Sequence, residues 1–139
     1  RFVRANKLGE SVNPLSLAAY QAAYEKGGEW LDQLQDYLDA NFEFAVKYIR
    51  ENIPGAVCEV SQATYLLWVD LNDCEIDTSE LSKFFAKSAG VLVESGNRLF
   101  VGNAAGFVRV NLAMPRALVA EGLERMAAAV REECERNRR

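Results

Sequence analysis

Apolar positions recur along this chain in two rhythms, and the switches between them mark its elements. The helical rhythm comes first. Asn13-Pro14 offers an N-cap side chain followed by a proline at N1, where a missing N–H costs nothing. A helix is predicted from there through Leu17, Ala18, Ala22 and Tyr24 to Gly27-Gly28. Its small residues Ala18, Ala19, Ala22 and Ala23 permit close approach of another backbone, which suits either a neighbouring domain or subunit or ordinary core packing. A second helix is predicted from Glu29 to about Asn52, because Leu31, Leu34, Leu38, Phe42, Ala45 and Ile49 recur at spacings of three and four. Pro54-Gly55 stops it. At about 1.5 Å per residue it reaches ~36 Å, long enough to traverse a domain as its spine. Glu29 and Asp32 at its start, with Lys47 and Arg50 near its end, complement the helix dipole and read as a solvated face.

The rhythm then shortens. Val57-Cys58-Glu59-Val60 and Tyr65 to Leu71 read as strands joined through Ser61-Gln62-Ala63-Thr64, which predicts a hairpin at the centre of a sheet. The second is nearly continuous in apolar residues, as in a strand covered on both faces. Asp77-Thr78-Ser79-Glu80 has the spacing of a capping box, so a helix is predicted to follow, turning Leu81, Phe84 and Phe85 inward and ending at Gly90. Val91 to Glu94 predicts a short strand, and a long loop from Ser95 leads to Gly106. The last helix sets Val119, Leu123, Met126, Ala127 and Val130 on one face, with Cys134 extending the line. The order of elements predicts an α/β fold in the two-layer α+β sense, a mainly antiparallel small sheet with helices laid against it, in a single domain over 1–139.

One strand carries a chemical anomaly. In Gly106-Phe107-Val108-Arg109-Val110-Asn111-Leu112-Ala113-Met114-Pro115-Arg116, Val108, Val110 and Leu112 share one face, and Phe107, Arg109, Asn111 and Ala113 share the other. A charge set within an apolar strand is costly unless a partner awaits it. Arg109 therefore calls for an anion, either a carboxylate of the protein in a structural bridge or a carboxylate in a cleft, for which the planar guanidinium supplies a two-pronged grip.

Composition narrows the alternatives. Half the residues are hydrophobic, 26% are charged, and the net charge is −4, which argues against nucleic acid as a partner. The basic cluster Arg136 to Arg139, broken by Asn137, reads as a solvated helix tail. Cys58, Cys74 and Cys134 form no CxxC pair and no zinc signature, which fits a reducing, cytoplasmic setting. There is no His, so His-dependent triads and His metal sites are absent, and no metal site is expected. No apolar run is long enough for a membrane span, and no membrane partner is expected. Gly96, Gly102 and Gly106 match no phosphate-binding signature and read as a tightly turned or flexible loop. The acidic pairs Asp70 and Asp73, and Glu132 and Glu133, read as capping or solvated groups, so no catalytic residue is assigned. The opening Arg1 to Glu10 has neither cap nor period, as expected of a piece of something larger.

Several of these stretches together resemble a known family. They are Ala63-Thr64-Tyr65-Leu66-Leu67-Trp68-Val69-Asp70, then Ala89-Gly90-Val91, then Gly106 to Ala113 with Pro115-Arg116, preceded by Ser11 to Ala19, Trp30-Leu31-Asp32 and Tyr37-Leu38-Asp39-Ala40-Asn41. The set resembles the C-terminal, small domain of class I/II aminotransferases, fold-type-I enzymes using pyridoxal 5′-phosphate, and within them the cystathionine β-lyase-like C–S lyases of the MalY/PatB type. Two positions depart from the pattern: Ala63 stands where a glycine is common, and Met114 where the lyase branch often has cysteine.

The resemblance implies a division of labour. A lysine of the large domain carries the cofactor, and the small domain supplies the arginine that binds the substrate's α-carboxylate, a role that falls on Arg109. None of the lysines from Lys7 to Lys87 has a matching context, so the chain would be inactive alone and would bind no pyridoxal phosphate by itself. Residues 1–28 would be the connection from the missing large domain, and the full-length enzyme would be a homodimer. Its reaction would be α,β-elimination of S-substituted cysteines to pyruvate, ammonia and a thiol. Transamination in the same family, or a free-standing α+β binding or regulatory module, are the alternatives.

Overall fold

Asn13 accepts the Leu15 backbone N–H on its Oδ1 at 2.8 Å and Pro14 follows at N1, so the first helix, α1 (Pro14–Lys26), starts where its cap residues place it. The computed structural model describes residues 13–99 and 102–139. The unpatterned stretch Arg1 to Glu10, with Lys7, and the Ser11-Val12 of the family resemblance lie outside the described residues. The chain divides into two compact units, residues 1–36 and 37–139. In the first unit, α1 buries none of its residues, and Leu15 and Tyr24 are 79% and 78% exposed. Its alanine face therefore does not serve ordinary core packing. No helix among the described residues is long and apolar enough to cross a membrane.

The second helix, α2 (Gly28–Asn52), keeps the predicted extent, but its buried residues begin only at Asn41 and continue through Phe42, Ala45, Val46 and Ile49. Leu31 is exposed and Leu34 and Leu38 are half-buried, so the spine is the C-terminal half of the helix and not its whole length.

The sheet of the second unit has three strands, β1 (Leu66–Asp70), β2 (Glu94–Ser95) and β3 (Phe107–Asn111), in the order β1-β3-β2, with both pairings antiparallel. Leu67, Val69, Val108 and Leu112 point to one face and are buried. They join a single apolar cluster with the α2 residues, with Leu81 and Phe85 of α3 (Leu81–Ser88), and with Leu123, Met126 and Val130 of α5 (Arg116–Asn137). The result is the two-layer α+β arrangement, helices on one side of a small antiparallel sheet. The predicted stripe of α5 is buried as a set, and Cys134 packs half-buried at its end.

Three local expectations are corrected. Residues 57–60 are not a strand: they make one antiparallel bridge, Val57 to Asp70, and β1 pairs instead with β3. Val57, Glu59 and Val60 are exposed and only Cys58 is buried, so the segment has no apolar face to seat in a sheet. Its carbonyl at Cys58 is held from the side by Arg50 Nη2 at 3.0 Å. The centre of the sheet is thus the arginine strand β3, and β1 alternates buried and half-buried residues in place of cover on both faces.

The capping box also fails to form. Asp77 Oδ1 accepts the Ser79 N–H at 2.9 Å, closing a turn two residues on, and the helix starts later with Glu80 at its cap and no side-chain bond to it. That backbone N–H, with the Ser79 side chain, holds the Asp77 carboxyl below its usual range. The strand expected at Val91 to Glu94 forms only as β2 over Glu94–Ser95, and the loop expected after it contains a four-residue helix α4 (Gly96–Leu99), where a Cβ on Gly96 would stand 2.0 Å from the Ala104 carbonyl oxygen. Gly106 sits at φ +82° against the Asn72 side chain, which itself bonds Asp70 Oδ1 and the Ala105 carbonyl. Gly106 takes the left-handed turn and Gly96 the close approach to Ala104 that a Cβ would block.

One buried polar residue ties the layers together. Asn41 Nδ2 donates to the carbonyls of Leu112 at 2.9 Å and Met114 at 3.0 Å, while its Oδ1 accepts from Arg116 Nε. Replacing Asn41 with Ala leaves these groups unserved in the interior, and about 2–3 kcal/mol of stability should be lost. Urea unfolding of Asn41→Ala beside wild type measures this, and an unchanged midpoint would show that the latch does not matter.

Burial pushes the Cys74 thiol up from its usual 9.0 to about 11, with the charges of Cys134, Asp70 and Asp73 adding to the rise. The folded state holds this proton more tightly than the unfolded chain does. Its contribution to stability is therefore whole below pH 9 and is lost as pH rises through 11. Wild type should lose more stability than Cys74→Ala between pH 8 and pH 10.5, as read from denaturant midpoints at the two pH values.

Candidate functional site

The alternation of β3 sends Arg109 to the face of the sheet opposite the apolar cluster, because Val108 and Leu112 on either side of it are fully buried on the other. Register then sets its neighbours. Trp68 of β1 stands across from Arg109 on one side and Glu94 of β2 on the other, a row running over all three strands. Phe107 lies on the same face, its ring edge-on to Trp68 at 6.4 Å between centroids. Asn111 completes the face and is turned back on its own backbone, accepting the Ala113 N–H at 2.8 Å.

Within the row, Arg109 Nη2 forms an ion pair with Glu94 Oε2. The arginine side chain is only 25% exposed and the glutamate 54%, so the pair is lopsided in its solvation. Arg109 Nε is buried with no hydrogen-bond partner, as is Ser95 Oγ next to Glu94. A guanidinium served on one nitrogen, with an adjacent N–H unmet, has capacity left for a carboxylate.

The bridge to Glu94 is the structural partner that a charged residue in this strand calls for, and the sequence does not reveal it. Glu94 stands 15 residues upstream across a loop, and the one available signal is that it is the acidic residue ending the run Val91-Leu92-Val93. Asn41 is also missed by the helical pattern. Its signal is a polar side chain beside Phe42 on the flank of an apolar stripe. Arg116, which Asn41 holds, stacks over the rings of Phe44 at 5.5 Å and Tyr37 at 5.9 Å, and its backbone N–H donates to the Tyr37 hydroxyl at 2.7 Å.

Other candidate chemistry has structural work to do. Asp70 Oδ1 accepts from the backbone and side chain of Asn72, and Glu133 pairs with Arg136. Among the described residues no group of three His, Cys, Asp or Glu could hold a metal ion. All three cysteines are free thiols, with Cys58 and Cys74 buried and raised in pKa, chiefly by burial. A cavity of about 250 Å³ between Pro54, Gly55 and the end of α5 shares no residue with the Arg109 row. Its Arg138 is already taken by Glu75 at 2.7 Å. The described lysines, Lys26, Lys47, Lys83 and Lys87, are all exposed on helices. Two of them face Glu51 and Glu80 at 4.0 and 3.4 Å.

No protein-family model matches the chain. Whole-protein relatives do. Cystathionine beta-lyase PatB of Bacillus subtilis is 32% identical over 128 residues, which cover 92% of this chain and 33% of that protein. Among solved structures, the pyridoxal-phosphate-bound C–S lyase of Staphylococcus hominis, in its external aldimine form with the inhibitor L-cycloserine, superposes with a TM-score of 0.83 at 39% identity, over 93% of this chain and 32% of that one. Cystalysin of Treponema denticola, which contains a pyridoxal 5′-phosphate cofactor, gives 0.85 at 26% identity, over 94% of this chain and 34% of its own. The chain thus spans about a third of the length of the proteins it matches. It is a homologue of the cystathionine β-lyases and carries the fold of the C-terminal domain of fold-type-I pyridoxal-phosphate enzymes.

Proposed function

We propose that this chain is the C-terminal, substrate-side domain of a longer pyridoxal-phosphate-dependent C–S lyase, and that Arg109 binds the α-carboxylate of its amino-acid substrate. The observation that carries this reading is the Arg109 guanidinium itself, a quarter exposed on the face of the central strand opposite the core, with its Nε–H unmet and only a half-exposed glutamate at Nη2. A carboxylate gripped there by two parallel hydrogen bonds is fixed in orientation as well as in place. Fixing it aims the Cα–H bond of the substrate, and such orientation is a large share of the barrier in reactions of this kind.

The net change is elimination across Cα and Cβ of an S-substituted cysteine, which with one water gives pyruvate, ammonia and a thiol. The choice of elimination over transamination rests on the relatives, named as cystathionine β-lyase and C–S lyase. Pyridoxal phosphate supplies the electron sink for such chemistry when bound. The described residues of this chain do not fit that group: each described lysine is exposed on a helix. The cofactor is therefore assigned to a separate large domain. Residues 1–28 are read as the connection to it, covered there or by the second subunit of a homodimer. The exposed Leu15, Leu17, Tyr20 and Tyr24 of α1 support that reading.

Two experiments test this function. The purified chain, mixed with pyridoxal phosphate and reduced with borohydride, should yield no stoichiometric lysine adduct by mass spectrometry; a single full-occupancy adduct would overturn the division of labour. In the full-length enzyme, Arg109→Lys keeps the charge but loses the planar fork. It should lower kcat/KM roughly ten- to a hundredfold, about 1.4–3 kcal/mol of transition-state binding, with the cofactor spectrum unchanged. A variant with wild-type kinetics and a lowered unfolding midpoint would leave Arg109 a purely structural residue.

A further inference from the structure

The pairing of Arg109 with Glu94 bears on how tightly the proposed site binds. Nη2 is the nitrogen that both two-pronged edges of a guanidinium share, the one with Nε and the one with Nη1. Glu94 is placed at that nitrogen by the fold. It pairs with Arg109 in the β2–β3 register, and its neighbour Ser95 pairs with Val108, which is fully buried. On its far side Gly96 lies so close to the Ala104 carbonyl that a Cβ would stand 2.0 Å from it. The backbone carrying Glu94 is thus fixed on its C-terminal side by these contacts and on its N-terminal side by Val93, which is buried in the apolar cluster, and the side chain reaches Arg109 from it. Any carboxylate that arrives at either edge of Arg109 meets a second negative charge at the same nitrogen.

We infer that Glu94 is a built-in competitor for the substrate carboxylate: between turnovers it holds one N–H of Nη2 and sets a negative charge beside either edge of the guanidinium, so substrate binding works against it and draws it away, and it sets KM. This rests on the proposal that Arg109 is the carboxylate site. With its glutamate half-exposed, the pair can open from the Glu94 side, and ion pairs open to solvent contribute on the order of 1 kcal/mol or less. It is strong enough to reduce the fraction of binding-competent arginine, and the apparent affinity falls in proportion to that fraction. Between turnovers the same contact keeps a one-quarter-exposed guanidinium from standing unpaired. Glu94 is in this sense a positioning residue, acting on substrate through Arg109.

The test uses the pyridoxal-phosphate-loaded full-length enzyme with L-cystathionine as substrate and propionate as a competing carboxylate. Glu94→Gln should lower both KM and the propionate inhibition constant, each roughly three- to tenfold, with the effect falling on KM and not on kcat. Glu94→Ala, which cannot bond Arg109 at all, should do the same and guards against an effect peculiar to the amide. Unchanged or raised KM and inhibition constants in both variants, in an enzyme where Arg109→Lys loses activity as proposed, overturn the competitor role and leave the arginine reading intact. If Arg109→Lys itself keeps wild-type kinetics, the carboxylate site is elsewhere and the inference falls with it. A Glu94→Gln enzyme whose kcat drops while KM stays constant also counts against it, because a displaced competitor cannot act after substrate is bound.

Discussion

The side chain of Asn41 is where the architecture closes. It is fully buried, and its carboxamide spends both donors on the carbonyls that follow β3 and its acceptor on the guanidinium that opens α5. A helix, the central strand and the last helix are thereby pinned at one point. An amide is the group that can do this, since the site presents two acceptors and one donor and an apolar side chain would leave all three unmet in the interior. Because β3 lies between β1 and β2, fixing its end also fixes the register in which the other two strands meet it.

That register decides what Arg109 can do. The apolar positions of β3 have a core to enter, so the alternation leaves the arginine no choice of face, and the pairings put Trp68 and Glu94 beside it. The magnitudes involved are in keeping with the proposed ligand role. A half-exposed bridge contributes on the order of 1 kcal/mol or less, whereas an unserved buried N–H costs about 1–3 kcal/mol. The arrangement makes physical sense where a further anion completes it.

The fold was legible wherever a pattern had a single physical meaning. The period of α2, stopped by Pro54-Gly55, and the stripe of α5 from Val119 to Val130 each admit only one helix, and the structure has them. Arg109 was legible as a charge amid β-branched residues that calls for an anion, with a structural bridge and a cleft both open; the structure supplies the bridge to Glu94. What was not legible depended on competition between alternatives. Asp77 could cap a helix or close a local turn, and the turn two residues on won. Residues 57–60 had β-rich composition but no face to bury, so β1 took a partner far along the chain in place of the adjacent one. The partner of Arg109 was hidden by the same long-range pairing, because Glu94 acquires meaning only once β2 is known to run beside β3.

The chemistry this chain holds is narrow, and the narrowness is informative. Its buried thiols are raised in pKa, its described lysines are spread over exposed helix faces, and its sequence has no imidazole. Among the described residues bond-breaking chemistry has little to work with, while the proposed carboxylate recognition has a planar cation on a strand held from both sides. A central strand is a stiff mount: displacing Arg109 would disturb the pairings to both β1 and β2 and unseat Val108 and Leu112 from the core. Rotamer changes at the tip of Arg109, such as the proposed exchange of Glu94 for an incoming carboxylate, disturb none of these. The guanidinium can therefore trade partners while its attachment to the domain stays rigid, which is the property that orienting a substrate for reaction at its α-carbon demands.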